Sequence, residues 1–188
     1  MAMGSQSDIF NLICVATINE RKGHAVLVKA LKHIEHLPWQ LSCAGSCERD
    51  PDTYNNLVQL TEKLGLNERI RYCGELNNEQ LEIEYQRADL FVLASYYEGY
   101  GMVLDEAIAR ALPIVATSGG AIADTVPKDA GILTTPGDSE ELASALQDFI
   151  ENKTVRESLR AGAEKARKDL RTWKDAALQF QSVLKQYG

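Results

Sequence analysis

Short apolar runs rich in β-branched residues alternate along the chain with longer segments in which apolar residues recur every three to four positions. The short runs predict β-strands, and the longer segments predict helices that bury one face. The predicted strands cover residues 10–17, 39–44, 70–73, 90–94, 114–117 and 131–134. The predicted helices cover residues 24–36, 53–64, 78–88, 102–110, 139–151, 154–168 and 172–186.

Strands that alternate with helices at this spacing predict right-handed crossovers and a parallel sheet covered on both faces. The fourth and fifth strands contain no polar alternation, as expected of strands buried on both sides. Beyond Gly137 only helices follow, and the last carries an apolar stripe of Trp173, Ala177, Phe180 and Leu184. We therefore expect one α/β domain over residues 9–188, with a doubly wound, mostly parallel, six-stranded Rossmann-like sheet and C-terminal helices.

Composition and charge exclude several classes of protein. The chain has 188 residues, of which 45% are hydrophobic and 25% charged, as in ordinary globular domains. The 20 Lys and Arg against 27 Asp and Glu give a net charge of −7. This balance argues against nucleic acid or an anionic membrane as the main partner, so an anionic ligand needs a local site. No apolar run approaches the roughly 20 residues of a transmembrane helix.

The cysteines and the first residues carry no targeting or metal signal. The four cysteines do not form a disulfide framework, and no second Cys or His pair follows Cys43 and Cys47 at the spacing of a zinc site. We expect no metal and a cytoplasmic location. Residues 1–8 lack the pattern of a signal peptide and resemble a disordered cloning remnant.

Ligands of doubly wound folds bind beyond the carboxyl ends of the strands, so the turns after the strands are the candidate sites. After the first strand, Arg21 and Lys22 precede Gly23 at a helix start, a pattern that suits an anion. The turn after the second strand contains Gly45 and Ser46, whose small side chains let the backbone approach a flat ring. The turn after the third strand contains Gly74, Glu75 and Leu76. Each pattern, taken alone, is also typical of an ordinary surface turn.

The turn after the fourth strand is the most informative. Gly101 lies among Tyr100, Met102 and Val103 at a helix start, where backbone N–H groups can face a phosphate. Glu98 precedes this turn and Glu106 lies more than one turn into the helix, so the two carboxylates can bind hydroxyl groups on either side of a phosphate. Alternatively, both are solvated surface charges. Gly119 and Gly120 after the fifth strand form a second candidate anion cradle or a plain turn.

Two common nucleotide-binding motifs are absent from the sequence. No G-x-G-x-x-G follows the first strand, as it does in dinucleotide dehydrogenases, and no G-x-x-x-x-G-K-[ST] loop is present.

The pair Glu98 and Glu106 resembles the E-x7-E signature of the GT-B glycosyltransferases of family 4. Supporting motifs stand in the family's order: Arg21-Lys22-Gly23, Ala88 to Leu93, Leu112 to Ala116, Gly119-Gly120 and Thr135-Pro136-Gly137-Asp138. The resemblance runs from about Leu12 to the C-terminus and matches only the C-terminal, donor-binding half of such an enzyme. Nothing in the sequence matches the separate N-terminal domain on which the family carries its acceptor site.

The resemblance implies a role for each candidate. Arg21 and Lys22 would neutralise the donor diphosphate, the turns at Gly45-Ser46 and Gly74-Glu75-Leu76 would hold the nucleobase, and Glu98 would contact sugar hydroxyls. The segment from Tyr100 to Val103 would bind the phosphates, and Glu106 the ribose. The implied reaction is retaining and metal-independent, and the nucleotide-sugar, linked to UDP, GDP or ADP, is its donor substrate. Glu98, Arg21 and Lys22 are the implied catalytic residues.

The sequence departs from the family pattern at two places. Ala16-Thr17 stand where many members have Gly-Arg, so one expected phosphate contact is either missing or supplied by another residue. Arg110-Ala111 stand where many have Cys-Gly, so Ala111 must end a helix in the left-handed conformation that glycine adopts at little cost. We expect alanine there to lose about 1 kcal/mol.

Two alternatives remain open from the sequence: a non-catalytic nucleotide-sugar-binding module, and another GT-B enzyme such as a sugar-nucleotide epimerase. A phosphorylase is disfavoured because no pyridoxal-phosphate lysine motif is present. In the leading interpretation the chain works with an acceptor domain in polysaccharide or glycolipid synthesis, in the cytoplasm or peripherally at a membrane. Alone, it is expected to bind the donor without transferring sugar, and to self-associate through an apolar patch that includes the Trp173 stripe.

Overall fold

A computed structural model describes residues 9–170, and these form one six-stranded sheet with strand order β3-β2-β1-β4-β5-β6. The strands are β1 (Phe10–Val15), β2 (Trp39–Ala44), β3 (Ile70–Gly74), β4 (Leu90–Leu93), β5 (Ile114–Thr117) and β6 (Gly131–Thr134). Every neighbouring pair is parallel. The predicted doubly wound α/β fold is therefore confirmed, and its sheet is entirely parallel.

Seven α-helices and one 3₁₀ turn connect and follow these strands within residues 9–170. The turn is Glu20–Lys22, and the helices are α1 (His24–His33), α2 (Pro51–Lys63), α3 (Asn78–Arg87), α4 (Met102–Ala109), α5 (Ile122–Thr125), α6 (Ser139–Glu151) and α7 (Lys153–Asp169). The predicted helix over residues 172–186, its Trp173 stripe and the predicted remnant at residues 1–8 lie outside the described residues.

Local capping determines where the helices beside the site begin. The Asp50 side chain accepts a hydrogen bond from the Thr53 backbone N–H, and Pro51 occupies the first turn, so α2 begins two residues before the predicted start. Asn77 and Gln80 form a reciprocal capping box at the start of α3. These caps satisfy N–H groups that face the carboxyl edge of the sheet.

The two halves of the sheet carry their helices on opposite faces. The chain passes from β1 to β2 to β3 in one direction and from β4 to β5 in the other, so right-handed crossovers place α1 and α2 on one face and α3 and α4 on the other. Accordingly α1 packs against α2 and α6, whereas α4 packs against α7. All residues of β4 and β5 are buried, as predicted for strands covered on both sides.

The C-terminal end of α4 confirms the expected backbone conformation at Ala111. Its φ of 56° is the one positive φ among the non-glycine residues of the described chain. The turn that follows the helix carrying Glu106 therefore contains an alanine, Ala111, in a conformation that disfavours a Cβ.

None of the helices in residues 9–170 is both long and apolar enough to cross a membrane. The four cysteines are thiols, two of them buried.

Candidate functional site

The carboxyl ends of β1, β2 and β3 open onto a groove of about 370 Å³, which we call the central groove. It brings together predicted residues from four separate segments of the chain. The residues that line it are Val15, Ala16, Thr17, Lys22, Ala44, Gly45, Ser46, Glu75, Leu76, Leu81 and Val103. Lys22 is the one cation among these lining residues, and Thr17 occupies the position at which many family members carry arginine.

A second depression adjoins the central groove beside α3 and α4. Leu81 of α3 borders both spaces, and Glu82, Glu106 and Arg110 also line the second one. Val103 and Glu106 lie three residues apart in α4 and therefore on the same side of that helix. The structure thus places Glu106 in a depression next to the groove that Lys22 lines.

Glu98 is a buried carboxylate whose two oxygens are both bonded. Its Oε1 accepts hydrogen bonds from Lys22 Nζ at 2.5 Å and from Ser95 Oγ at 2.6 Å, and its Oε2 accepts one from Arg21 Nη1 at 3.2 Å. The residue is only 5% exposed. Glu98 therefore holds two neighbouring cations in place.

These contacts determine the protonation state of the Glu98 carboxyl group. Burial acts to raise the pKa of the carboxyl, but the hydrogen bonds from Lys22, Ser95 and Arg21 and the charge of Lys22 outweigh it. The pKa of Glu98 consequently lies below its ordinary value, and the group is ionised at neutral pH.

Arg21 and Lys22 are adjacent in sequence but face different cavities. The Lys22 side chain is only 13% exposed and lines the central groove. The Arg21 guanidinium is half exposed, donates a hydrogen bond to the Tyr97 carbonyl at 2.5 Å, and lines a separate cavity beside α1 and α2. The structure therefore brings Lys22, but not Arg21, to the predicted nucleobase turns.

The segment that carries both cations is held against β4. Gly23 has a φ of 65°, and a Cβ on it would lie 2.0 Å from the Ala94 carbonyl oxygen. The Asn19 side chain accepts a hydrogen bond from the Lys22 backbone N–H at 3.1 Å. Only glycine fits this close approach, so the chain passes tightly under the loop that bears Glu98.

The turn that begins α4 presents the predicted phosphate-facing backbone. Gly101 is the N-cap, with a φ of 79°, and no side chain caps the helix. The first N–H groups of α4, at Met102 and Val103, therefore have no intrahelical acceptor. Tyr100 and Met102 are strongly exposed at this edge, with 65% and 71% of their surface accessible.

Gly119 and Gly120 pack closely against the Glu98 loop. A Cβ on Gly119 would lie 2.2 Å from the Tyr96 carbonyl oxygen, and one on Gly120 would lie 2.3 Å from that of Glu98. Glu98 and Gly120 form an isolated parallel bridge between the two loops. These contacts explain why both residues are glycines. The predicted anion cradle at this turn stays a prediction.

Glu106 lies in a more open environment than Glu98. Tyr85 Oη donates a hydrogen bond to Glu106 Oε2 at 3.0 Å, and Arg110 stacks over the Tyr85 ring with 4.2 Å between guanidinium carbon and ring centre. Arg110 also pairs with Glu82 at 2.7 Å. Within residues 9–170, no recorded hydrogen bond or ion pair reaches the other oxygen of Glu106, which remains able to accept.

Sequence reasoning missed three residues that shape the site: Ser95, Leu81 and Tyr85. Ser95 precedes Glu98 by three residues in a turn, and this spacing was a usable local signal. Leu81 and Tyr85 lie one turn apart on α3, but their proximity to α4 depends on how the two helices pack, which no local pattern reports.

The chain is similar to known glycosyltransferases in sequence. The family described as "Glycosyl transferases group 1" matches residues 4–169. Mannosylfructose-phosphate synthase of Agrobacterium fabrum is 32% identical over 73% of this chain and 30% of its own length. An uncharacterized glycosyltransferase of Methanocaldococcus jannaschii is 27% identical over 98% of this chain and 47% of its own length.

Solved structures of glycosyltransferases have the same fold. Sucrose-phosphate synthase from Thermosynechococcus elongatus is 29% identical, with a TM-score of 0.84 over 96% of this chain and 46% of the other. HepE of Anabaena, whose structure is in complex with UDP and glucose, is 25% identical, with a TM-score of 0.84 over 95% of this chain and 48% of the other. The chain thus spans less than half the length of each protein compared here.

Proposed function

The chain belongs to the group 1 glycosyl transferases, and from that premise we propose that it binds a nucleoside diphosphate-sugar in the central groove as the donor of a glycosyl transfer. One observation carries the proposal. Two neighbouring depressions that share Leu81 contain these groups: the central groove has Lys22, the backbone turns at Gly45 and Leu76 and the start of α4, and the other has the carboxylate of Glu106. A nucleoside diphosphate requires this combination of a flat pocket, a cation and a hydroxyl acceptor.

The placement of the donor follows from the chemistry of each wall. The turns at Gly45-Ser46 and Glu75-Leu76 expose backbone groups to a flat base, and Glu106 offers an oxygen to the ribose hydroxyls. The diphosphate would lie between Lys22 and the first N–H groups of α4, where the helix dipole favours negative charge. The UDP bound to HepE, a relative in fold, supports this class of ligand.

Glu98 has two roles in this proposal. It holds Lys22 in the groove, because the Lys22 ammonium lies 2.5 Å from its Oε1. A carboxylate has about four acceptor positions, and three are occupied here, so one remains for a hydroxyl of the donor sugar.

We further propose how the leaving group is stabilised. When the glycosidic bond to phosphate breaks, negative charge develops on the diphosphate, and Lys22 and the α4 N-terminus are placed to stabilise that charge. Thr17 offers no charge, so Lys22 is the main cation of the groove. Retention of configuration and independence of metal rest on the resemblance to family 4.

The proposal covers donor binding by this chain, whereas transfer requires an acceptor. Because the chain spans less than half the length of each glycosyltransferase named above, we propose that another domain completes the cleft. The chain alone is expected to bind donor without transferring sugar, because half a cleft neither excludes water nor positions an acceptor.

Calorimetric titration with UDP, GDP and ADP tests the proposal. We expect one of them to bind with a Kd on the order of 0.1–1 mM, and Lys22→Gln to weaken that binding tenfold or more. Glutamine keeps a hydrogen-bond donor for Glu98 while removing the charge. Lys29→Gln, an exposed position of α1, is the matched control and should bind like the parent.

Two results would contradict the proposal. One is that none of the three diphosphates binds. The other is that Lys22→Gln binds as tightly as Lys29→Gln.

A further inference from the structure

The hydroxyl of Tyr85 is bonded to the carboxylate that is proposed to bind the ribose. Tyr85 belongs to α3, and its Oη donates a hydrogen bond to Glu106 Oε2 at 3.0 Å. Tyr85 is fully buried, with 0% of its surface exposed, whereas Glu106 is half-buried and lines the second depression. The bond therefore joins a side chain in the core to one at the edge of the site.

Two neighbouring side chains hold the Tyr85 ring. The ring stacks with the buried Phe91 of β4, at 6.4 Å between ring centres and 19° between ring planes. The Arg110 guanidinium lies over the ring as well, 4.2 Å from its centre, where the electrons of the ring attract a cation. The hydroxyl at the end of this ring consequently has a defined position.

Arg110 is itself bonded to both α3 and α4. Its Nε and Nη2 lie 2.9 Å and 2.7 Å from Glu82 Oε2 on α3. Its Nη1 donates a hydrogen bond to the Glu106 backbone carbonyl on α4 at 2.8 Å. Arg110 is also a position at which the sequence departs from the family pattern. The support that it gives to the Tyr85 ring is therefore a feature of this chain.

The Tyr85 hydroxyl is a donor at neutral pH. Burial raises the pKa of the phenol above its ordinary value of 10.0, and the negative charge of Glu106 and the hydrogen bond to it raise that pKa further. The phenol therefore keeps its proton, which it shares with Glu106 Oε2. Within residues 9–170, Oε1 of Glu106 is left as the oxygen with no recorded partner.

This bond matters for binding because a glutamate side chain is flexible. An unrestrained glutamate occupies several rotamers, and a ligand that needs one of them must restrict the others. A side chain that is already fixed in the binding geometry avoids this loss of entropy. The bond from Tyr85 engages one oxygen of Glu106 and leaves the other, so it restrains the carboxylate without occupying it.

We propose that Tyr85 is a positioning residue, which fixes the Glu106 carboxylate to accept a hydroxyl group from the ribose of the donor. This inference rests on the proposed function, which assigns the ribose to Glu106, and it adds a cause of specificity. Tyr85 lines neither the central groove nor the second depression, so it acts on the ligand through Glu106. It thereby determines how strongly the chain prefers a ribonucleoside diphosphate to the form without the 2′ and 3′ hydroxyls.

The alternative is that Glu106 merely satisfies the buried hydroxyl of Tyr85. Removing that hydroxyl would then change stability alone, or would weaken ligands with and without ribose hydroxyls equally. A positioning role predicts instead a loss confined to ligands that carry those hydroxyls. The ratio of the two affinities therefore distinguishes the two roles.

The first test is an NMR titration of the full chain, labelled with ¹⁵N and ¹³C, with the tightest-binding of UDP, GDP and ADP and with its 2′,3′-dideoxy form. We expect the parent to prefer the ribose form about tenfold or more. Tyr85→Phe, which removes the hydroxyl and keeps the ring, should reduce this preference to about threefold or less. Its affinity for the dideoxy form should not change.

Tyr72→Phe is the matched control. It also removes a tyrosine hydroxyl that is hydrogen-bonded, in this case to Thr61 Oγ1 at 2.6 Å, and Tyr72 lines neither depression. This variant should keep the preference of the parent. The double variant Tyr85→Phe/Glu106→Gln should show the same preference as Glu106→Gln alone, because Tyr85 acts through Glu106.

The second test needs no ligand. Three-bond couplings of Glu106 report the populations of its side-chain rotamers. We expect one dominant rotamer in the parent and in Tyr72→Phe, and an averaged mixture in Tyr85→Phe. The dispersion of the ¹⁵N spectrum shows that each variant is folded.

The outcomes separate this inference from the proposed function. If a diphosphate binds but Tyr85→Phe keeps the parent's preference for ribose, or if the parent has no such preference, the inference is overturned and diphosphate binding stands. Unchanged Glu106 rotamers in Tyr85→Phe overturn it as well. If those rotamers become averaged but no diphosphate binds the parent, the positioning of Glu106 by Tyr85 is supported and the proposed donor function fails.

Discussion

Glu98 and Glu106 belong to one short motif, yet they lie in opposite kinds of environment. Glu98 is buried in a loop, and both its oxygens accept hydrogen bonds, one from Lys22 and Ser95 and the other from Arg21. Glu106 is half-buried on a helix and is bonded through one oxygen to Tyr85. The first carboxylate holds neighbouring side chains in place, whereas the second keeps one oxygen without a partner among the described residues, as the proposed ribose contact requires.

The difference predicts that equal substitutions have unequal consequences. Removing Glu98 disturbs a buried cluster of charges, so it should affect stability as well as binding. Removing Glu106 takes away a proposed ligand contact and the acceptor of one hydrogen bond from Tyr85, so it should affect binding more than stability. The following experiments test this division, from the largest expected effect to the smallest.

Glu98→Ala should lower the free energy of unfolding by about 3 kcal/mol or more, because it leaves the largely buried Lys22 ammonium and the buried Ser95 hydroxyl without their acceptor. Glu106→Ala should cost less, about 1–2 kcal/mol, because only the Tyr85 hydroxyl loses its acceptor. Urea unfolding followed by circular dichroism measures both. Similar losses in the two variants would show that Glu98 is not the structural member of the pair.

Glu106→Gln should weaken nucleoside diphosphate binding tenfold or more, equivalent to about 1.4 kcal/mol. Glutamine replaces one acceptor oxygen by a donor, while helix propensity barely changes, so the midpoint of thermal unfolding should stay the same. Calorimetry with the tightest-binding diphosphate measures the effect. Glu151→Gln, at the exposed end of α6, serves as the control. Parent-like binding by Glu106→Gln would remove the proposed ribose contact.

Glu98→Gln should separate the sugar from the nucleotide. Because the remaining acceptor position of Glu98 is assigned to the donor sugar, this variant should lose more affinity for the nucleotide-sugar than for the bare diphosphate. Titration of the same variant with both ligands gives the ratio. Equal losses would restrict Glu98 to holding Lys22.

Acid should remove the stabilisation that Glu98 contributes. The pKa of Glu98 in the folded state lies below its ordinary value of 4.5, so the unfolded state binds the proton more readily. The contribution is present above 4.5 and is lost as the pH falls from that value through the folded pKa. The free energy of unfolding should therefore fall more steeply below pH 4.5 in the parent than in Glu98→Gln. Parallel pH curves for the two proteins would contradict this assignment.

The smallest expected effect lies at the end of the helix that bears Glu106. Ala111→Gly should raise the free energy of unfolding by about 1 kcal/mol, because glycine adopts the observed φ of 56° without steric cost. Affinity for the diphosphate should not change, since Ala111 lines neither the central groove nor the second depression. Chemical denaturation of this variant beside the parent decides the point. A loss of stability would mean that packing of the Ala111 methyl group contributes more to stability than its backbone strain costs.

Much of the fold was predictable because the spacing of apolar residues along the chain indicates which faces of each strand and helix are buried. The fully apolar runs in β4 and β5 predicted strands buried on both faces, and those strands are buried throughout. The boundaries that differed did so for local reasons, as at α2, where Asp50 and Pro51 begin the helix early. The turns after parallel strands were predictable as a group, because such strands bring their carboxyl ends to one edge.

The orientation of individual side chains in those turns was not predictable. Arg21 and Lys22 formed one cationic motif in the sequence, but the 3₁₀ turn at Glu20–Lys22 directs them to different cavities. Gly119 and Gly120 suggested an anion cradle, which stays a prediction, and the structure shows in addition a close contact between loops that leaves no room for a Cβ on either residue. Neither result follows from neighbouring residues, because both depend on loops far apart in the chain.

By itself, the sequence determined the order of strands and helices along the chain, the parallel sheet, the edge that carries the candidate site and the strained turn after α4. These depend on hydrophobic period and on residue types that have fixed backbone preferences. Only the tertiary structure decided that Glu98 is a bonded, buried anion, that Tyr85 reaches Glu106, and that a second cavity lies beside α1 and α2. Those features arise from packing between segments up to 77 residues apart in the chain. The residues next to each segment do not predict which distant segment it will contact.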